Sequence, residues 1–439
     1  MTEKQVKYAI QRGLGRGLIA VRENPERYRD LVLWACGRNL AFDTQCEGAR
    51  TWYVYQLVCC YEDRAAFRNV TAEKLRRKQL DRGWDIFCFS ELLSFFAQDG
   101  DVEAECFLWE KYEELLVQLR GFRKHSWRRD ATRDDLESVC LALAWKEDNY
   151  HKIATDLGAY FLENKLCNRW DFAWLYESRP YGFNSRLRKK HSMSPGLAAW
   201  FRVYDDRHPE REEAEQQQNS KPPEIRSSEL KGRRLSLYLK HHPELAPSYA
   251  EAYLSTEESE SRATALKAFH ACPYPLDPTP ILADAESKDP ALRESAIEAL
   301  SEIRHPAVRQ FAWEHLKQSP EDWLPVAVKN CLSEDEPKLY PWIKRLHVDY
   351  ACKSNWHGVH RLILELFRDP GLKNPPKSLL PLIYETTLCS CCRENAARWM
   401  GRYRMISPEM WEEQIYDSYD EIRAHAVAHA TRMERKEER

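Results

Sequence analysis

The stretch Asp289 to Leu316, DPALRESAIEALSEIRHPAVRQFAWEHL, reads as two short helices joined by a tight turn. Pro290 and Pro306 suit a first helical turn, where an N–H would have no intrahelical partner and the fixed φ is already helical. Asp289, just before Pro290, is an N-cap residue whose carboxylate accepts from the free N–H groups of the first turn. Leu292, Ala296, Ile297, Ala299, Leu300 and Ile303 recur at helical spacing, and Val308, Phe311, Ala312 and Leu316 do the same on the second helix. Only Arg304 and His305 separate the two, so they fold back on each other as an antiparallel hairpin. Such a hairpin cannot bury both apolar faces alone, and stacked neighbours are expected on each side.

The same pattern recurs. Arg-x-x-Ala after an acidic helix start stands at Arg262/Ala265, Arg293/Ala296, Arg393/Ala396 and Arg423/Ala426. Between these lie poorer copies, including Trp323–Leu332, where Pro325 takes the arginine position. Units are expected near 257–288, 289–318, 319–353, 354–387 and 388–418, with a last helix from about 419. The pattern resembles a HEAT repeat of the short bacterial kind, over roughly half of the chain. That resemblance implies an α-solenoid whose concave surface grips a protein or a nucleic acid.

The fold expected for the whole chain is all-α. It combines a HEAT-like solenoid of antiparallel hairpins over 232–439 with a more irregular helical region over 1–203. Helices in the first half are expected near 4–22, 26–38, 47–62, 71–80, 84–98, 102–119, 132–146 and 149–165. The polar stretch 204–231, rich in charge and Gln, buries too little apolar surface to order itself and reads as a linker or mobile loop. A charged fraction of 31% with only 15 glycines favours helices with solvated faces over sheets. The formal net charge of −3 does not describe a dedicated nucleic-acid binder, although local basic patches remain. The 14 cysteines are scattered through apolar helical patterns, as in a reducing compartment. With no apolar run of about 20 residues and no signal-peptide pattern, a cytoplasmic location without membrane contact is expected.

Signatures of chemistry are thin. Arg12-Gly-Leu-Gly-Arg-Gly17 lacks the strand that a phosphate-cradling loop requires, and reads as close helix packing. Cys389-Ser-Cys391-Cys392 is the densest thiol cluster, but no second pair follows at zinc-site spacing, so it reads as a small-residue helix interface. His357-x-x-His360 and His425-x-x-x-His429 lack the glutamate of a zinc-protease motif. No catalytic, cofactor or metal residue is assigned from sequence.

Two basic stretches interleaved with aromatics stand out as ligand-binding candidates, suited to phosphate contact and base stacking. The first carries Arg123, Lys124, Trp127, Arg128 and Arg129, and the second carries Tyr181, Phe183, Arg186, Arg188, Lys189 and Lys190. The sequence thus points to a non-enzymatic binding scaffold that holds a protein or peptide partner. The alternative is a HEAT-like nucleic-acid binder, with DNA repair among the roles such proteins perform.

Overall fold

The computed structural model describes residues 1–43, 47, 49–77, 85–164, 171–177, 184, 187–188, 193–205, 233–345, 353–369, 372 and 374–437. Every regular element among them is helical. The chain separates into two compact units, Met1–Lys221 with Ser407–Arg439, and Pro222–Ile406. No described helix is long and apolar enough to cross a membrane.

The first unit opens with α1 (Glu3–Arg12), α2 (Gly15–Glu23), α3 (Pro25–Cys36), α4 (Ala49–Val58), α5 (Ala65–Arg76), α6 (Asp85–Gln98), α7 (Val102–Gly121) and α8 (Trp127–Leu143). It continues with α9 (Glu147–Glu163), α10 (Ala173–Glu177) and α11 (Pro195–Asp205). Its odd helices pack in succession, α1 on α3, α3 on α5 and α5 on α7. Its even helices do the same, α2 on α4, α4 on α6 and α6 on α8. Two layers result, with the apolar core of Leu31, Phe67, Leu93, Leu108 and Leu143 between them.

The second unit runs α12 (Arg233–His241), α13 (Ala246–Leu254), α14 (Ser259–Leu266), α15 (Thr279–Asp284), α16 (Pro290–Leu300) and α17 (Pro306–His315). It continues α18 (Pro320–Lys329), α19 (Glu336–Arg345), α20 (Lys353–Leu366), α21 (Leu379–Thr386) and α22 (Ser390–Arg402). Here α14, α16, α18, α20 and α22 pack one on the next, while α15 meets α17 and α19 meets α21. The chain ends with α23 (Pro408–Gln414) and α24 (Asp420–Glu437).

The capping of the two Asp289–Leu316 helices is as their sequence dictates, but the expected hairpin between them is corrected: α16 packs on α15 and α17 packs on α18, rather than on each other. Asp289 accepts from the Ala291 N–H at 2.9 Å, Pro290 occupies the first turn, and His305 caps α17 by accepting from Ala307 N–H at 3.2 Å. Ala296, Leu300, Val308 and Ala312 are buried. The recurring arginine has a repeated task. In three units its Nη1 reaches back six residues to a backbone carbonyl of the preceding turn. Arg262 donates to Thr256 O at 3.1 Å, Arg293 to Ser287 O at 3.5 Å and Arg423 to Asp417 O at 2.8 Å. Each satisfies a carbonyl that the turn leaves without a helical partner.

Three further expectations are corrected. The helix expected over 4–22 breaks at Gly13, which takes φ +69 and ends α1 in the left-handed conformation that favours glycine. The helix expected from 132 begins at Trp127, because Ser126 is an N-cap that accepts from Arg129 N–H at 3.2 Å. The final helices, expected to close the C-terminal repeat region, pack with the N-terminal helices instead. There α23 meets α2, Ser418 N–H donates to Gly13 O at 2.8 Å, and the Arg423 guanidinium lies 4.0 Å from the Trp52 ring centroid. Glycine is needed for this approach, since a Cβ on Gly15 would sit 1.9 Å from the Glu413 carbonyl oxygen. The Arg12–Gly17 stretch is therefore a packing surface. Most of the polar stretch 204–231 lies outside the described residues.

Candidate functional site

The first basic stretch forms the corner between α7 and α8. Beyond Gly121 the chain turns extended at Phe122, and Ser126 then caps α8. That cap makes Trp127 the first residue of the helix, on its outward side, where it is 75% exposed. The Arg128 guanidinium lies 5.4 Å from the Trp127 ring centroid, and Arg123 and Lys124 are exposed beside it in sequence. An exposed indole with one guanidinium beside it and two more cations exposed on the same corner suits a planar or phosphate-bearing ligand.

Arg129 does not belong to this surface. Two residues on from Trp127, it points to the other side of the helix and is fully buried. Its Nη2 lies 2.8 Å from Asp171, which also accepts from Arg133 at 3.0 Å. Burial works against the Arg129 charge, but the hydrogen bond and charge of Asp171 outweigh it and hold the guanidinium above its ordinary pKa. Arg129 therefore ties α8 to the chain just ahead of α10. In the second stretch, Arg188 is exposed, with its guanidinium 4.2 Å from the Phe201 ring centroid. Tyr181, Phe183, Arg186, Lys189 and Lys190 lie outside the described residues.

A second constellation lies in the other unit, where α20 packs on α22. Cys389 is the N-cap of α22 and Cys392 is its third residue, so both face the same side of the first turn. Both thiols are buried, and His357 on α20 is half-buried. One imidazole nitrogen and the two sulfurs all lie within 4.8 Å of one another. A hydrogen bond to Cys389, with burial, pushes the Cys392 thiol far up. The small-residue interface expected here is thus also a convergence of three soft ligands. Its Cys-x-x-Cys half was legible. Its histidine was not, because it comes from the helix one layer position earlier. The visible signal was that His357 and Cys389 occupy neighbouring expected repeats.

No family model, curated protein or solved structure matches this chain.

Proposed function

We propose that this protein is a non-enzymatic helical-repeat scaffold, a HEAT-like solenoid, which holds a protein or peptide partner. The observation that carries the reading is the succession of alternate helices, α1 to α7 and α2 to α8 in the first unit and α14 to α22 in the second, each packed on the next member of its row. In a stack of this kind each hairpin contacts only its neighbours, and the outward faces of each layer stay open along its length. Side chains there are not consumed by the core and are available to a ligand. A chain that stacks its consensus residues this way needs no cleft of its own to bind a large partner.

A nucleic-acid partner is the second reading, favoured by the Trp127 corner. Exposed Trp127 with Arg123, Lys124 and Arg128 offers a stacking face and phosphate-contacting cations. One titration separates the two. A fluorescein-labelled single-stranded oligonucleotide is followed by anisotropy across a salt series, for the parent and for the Arg123→Ala/Lys124→Ala/Arg128→Ala variant. Three lost phosphate contacts reduce the slope of log K on log salt by about 2. No binding by the parent at low salt removes the nucleic-acid reading. The protein-scaffold reading is then tested by cross-linking capture from the native host and reconstitution with the purified partner. A partner that binds equally well to heat-unfolded protein would contradict it.

A further inference from the structure

We infer that His357, Cys389 and Cys392 form a binding site for a zinc-class divalent cation, with three protein ligands and a fourth position open to solvent. Two thiolates and one imidazole are a soft donor set that selects Zn2+ over Mg2+ or Ca2+. Tetrahedral zinc, with bonds of about 2.3 Å to sulfur and about 2.0 Å to nitrogen, places two sulfurs and a nitrogen about 3.5–3.8 Å apart. The three atoms here lie within 4.8 Å of one another before any ion draws them in. Side-chain torsion closes the difference.

Three features of placement support the site. Cys389 and Cys392 stand at the N-cap and third position of α22. Metal binding releases the thiol protons, and the positive end of the helix dipole lies beside the sulfurs once they are anionic. The third ligand comes from a different helix, so the ion would join α20 to α22, two successive members of one layer. The sulfurs are buried while His357 is half-buried, which shields the thiolates and leaves one side of the ion facing water. A disulfide between Cys389 and Cys392 is the competing use of the pair, but it gives His357 no part.

The test uses the full chain, reduced and stripped with a chelator, then titrated with Co2+ as a spectroscopic stand-in for Zn2+. One equivalent is expected to produce a thiolate-to-cobalt charge-transfer band and the intense visible bands of a tetrahedral ion, both abolished by one equivalent of Zn2+. Cys392→Ser and His357→Gln should each lose the tetrahedral spectrum, while Cys106→Ser, which removes an exposed thiol on α7, should keep it. Far-UV circular dichroism of each variant establishes that the helices are intact. Zinc should also raise the thermal midpoint of the parent and leave that of His357→Gln unchanged. The proposal is overturned if the reduced parent gives no charge-transfer band, or if the band survives in folded Cys392→Ser. It is equally overturned if Cys389 and Cys392 are cross-linked as isolated and the reduced pair takes up no metal.

Discussion

Replacing Asp171 with asparagine isolates what Arg129 does. Both side chains of the Arg129–Asp171 pair are fully buried, at 2.8 Å. Asparagine keeps the size and one acceptor but removes the charge. Among the described carboxylates Arg129 then keeps Asp130, itself 47% exposed at 3.2 Å. Breaking a buried pair on one side costs about 3–5 kcal/mol. The Arg133 contact adds little, because that side chain reaches solvent and finds Asp134 at 2.6 Å. Against a typical folding stability of about 5–15 kcal/mol, the change is large. Urea unfolding followed by far-UV circular dichroism measures it. The Asp171→Asn/Arg129→Met double variant, which removes both charges, should be less destabilised than Asp171→Asn alone, with a coupling of about 1–3 kcal/mol. Arg128→Ala, by contrast, should stay within about 0.5 kcal/mol of the parent. The reasoning fails if Asp171→Asn is as stable as the parent. It also fails if Arg129→Ala lowers the salt slope of oligonucleotide binding while leaving stability untouched, which would place Arg129 on the surface.

Further outcomes follow from other parts of the structure. Gly15→Ala drives a methyl into the Glu413 carbonyl and should cost about 1–3 kcal/mol, with faster proteolytic release of α23 and α24; an unchanged cleavage pattern would mean that this contact does not hold the C-terminal helices. Glu91 is raised to about 7, chiefly by burial and despite the Thr51 hydrogen bond, so its ionisation opposes folding. The raised folded pKa means that the folded state holds this proton more tightly than the unfolded one. Stability is therefore lost as pH climbs from the ordinary carboxylate range through about 7. Glu91→Gln should remove that loss, so its unfolding midpoint relative to the parent should rise across this window and level off above it. A pH-independent difference would reject the assignment.

The helical class was legible because proline position, capping and period agree along the chain. Asp289–Pro290 and Pro306 start helices where their chemistry says they must. The arginine of Arg-x-x-Ala was visible as a pattern but not as a mechanism; only the fold shows it reaching back six residues to a turn carbonyl. What sequence hid was long-range pairing. Arg129 looked like its neighbours until Asp171, 42 residues on, claimed it. The basic stretch hid a helix start because its dense charge masks the Ser126 cap, and the apolar period becomes clear only further along α8. His357 joins Cys389 and Cys392 only through the packing of α20 on α22. Gly13 and Gly15 showed small size, but not that the far end of the chain fills the space.

The central claim is that α14, α16 and α18 are successive members of one stack. The most direct measurement is hydrogen exchange by mass spectrometry on Ala296→Arg. Ala296 is fully buried on α16, and an unpaired guanidinium there costs several kcal/mol, on the order of 3–5. Nearest-neighbour stacking predicts that protection falls first in Ser259–Leu266, Pro290–Leu300 and Pro320–Lys329, and is kept in α1–α9. Uniform loss across the whole chain, or protection equal to the parent's in those three helices, would contradict it.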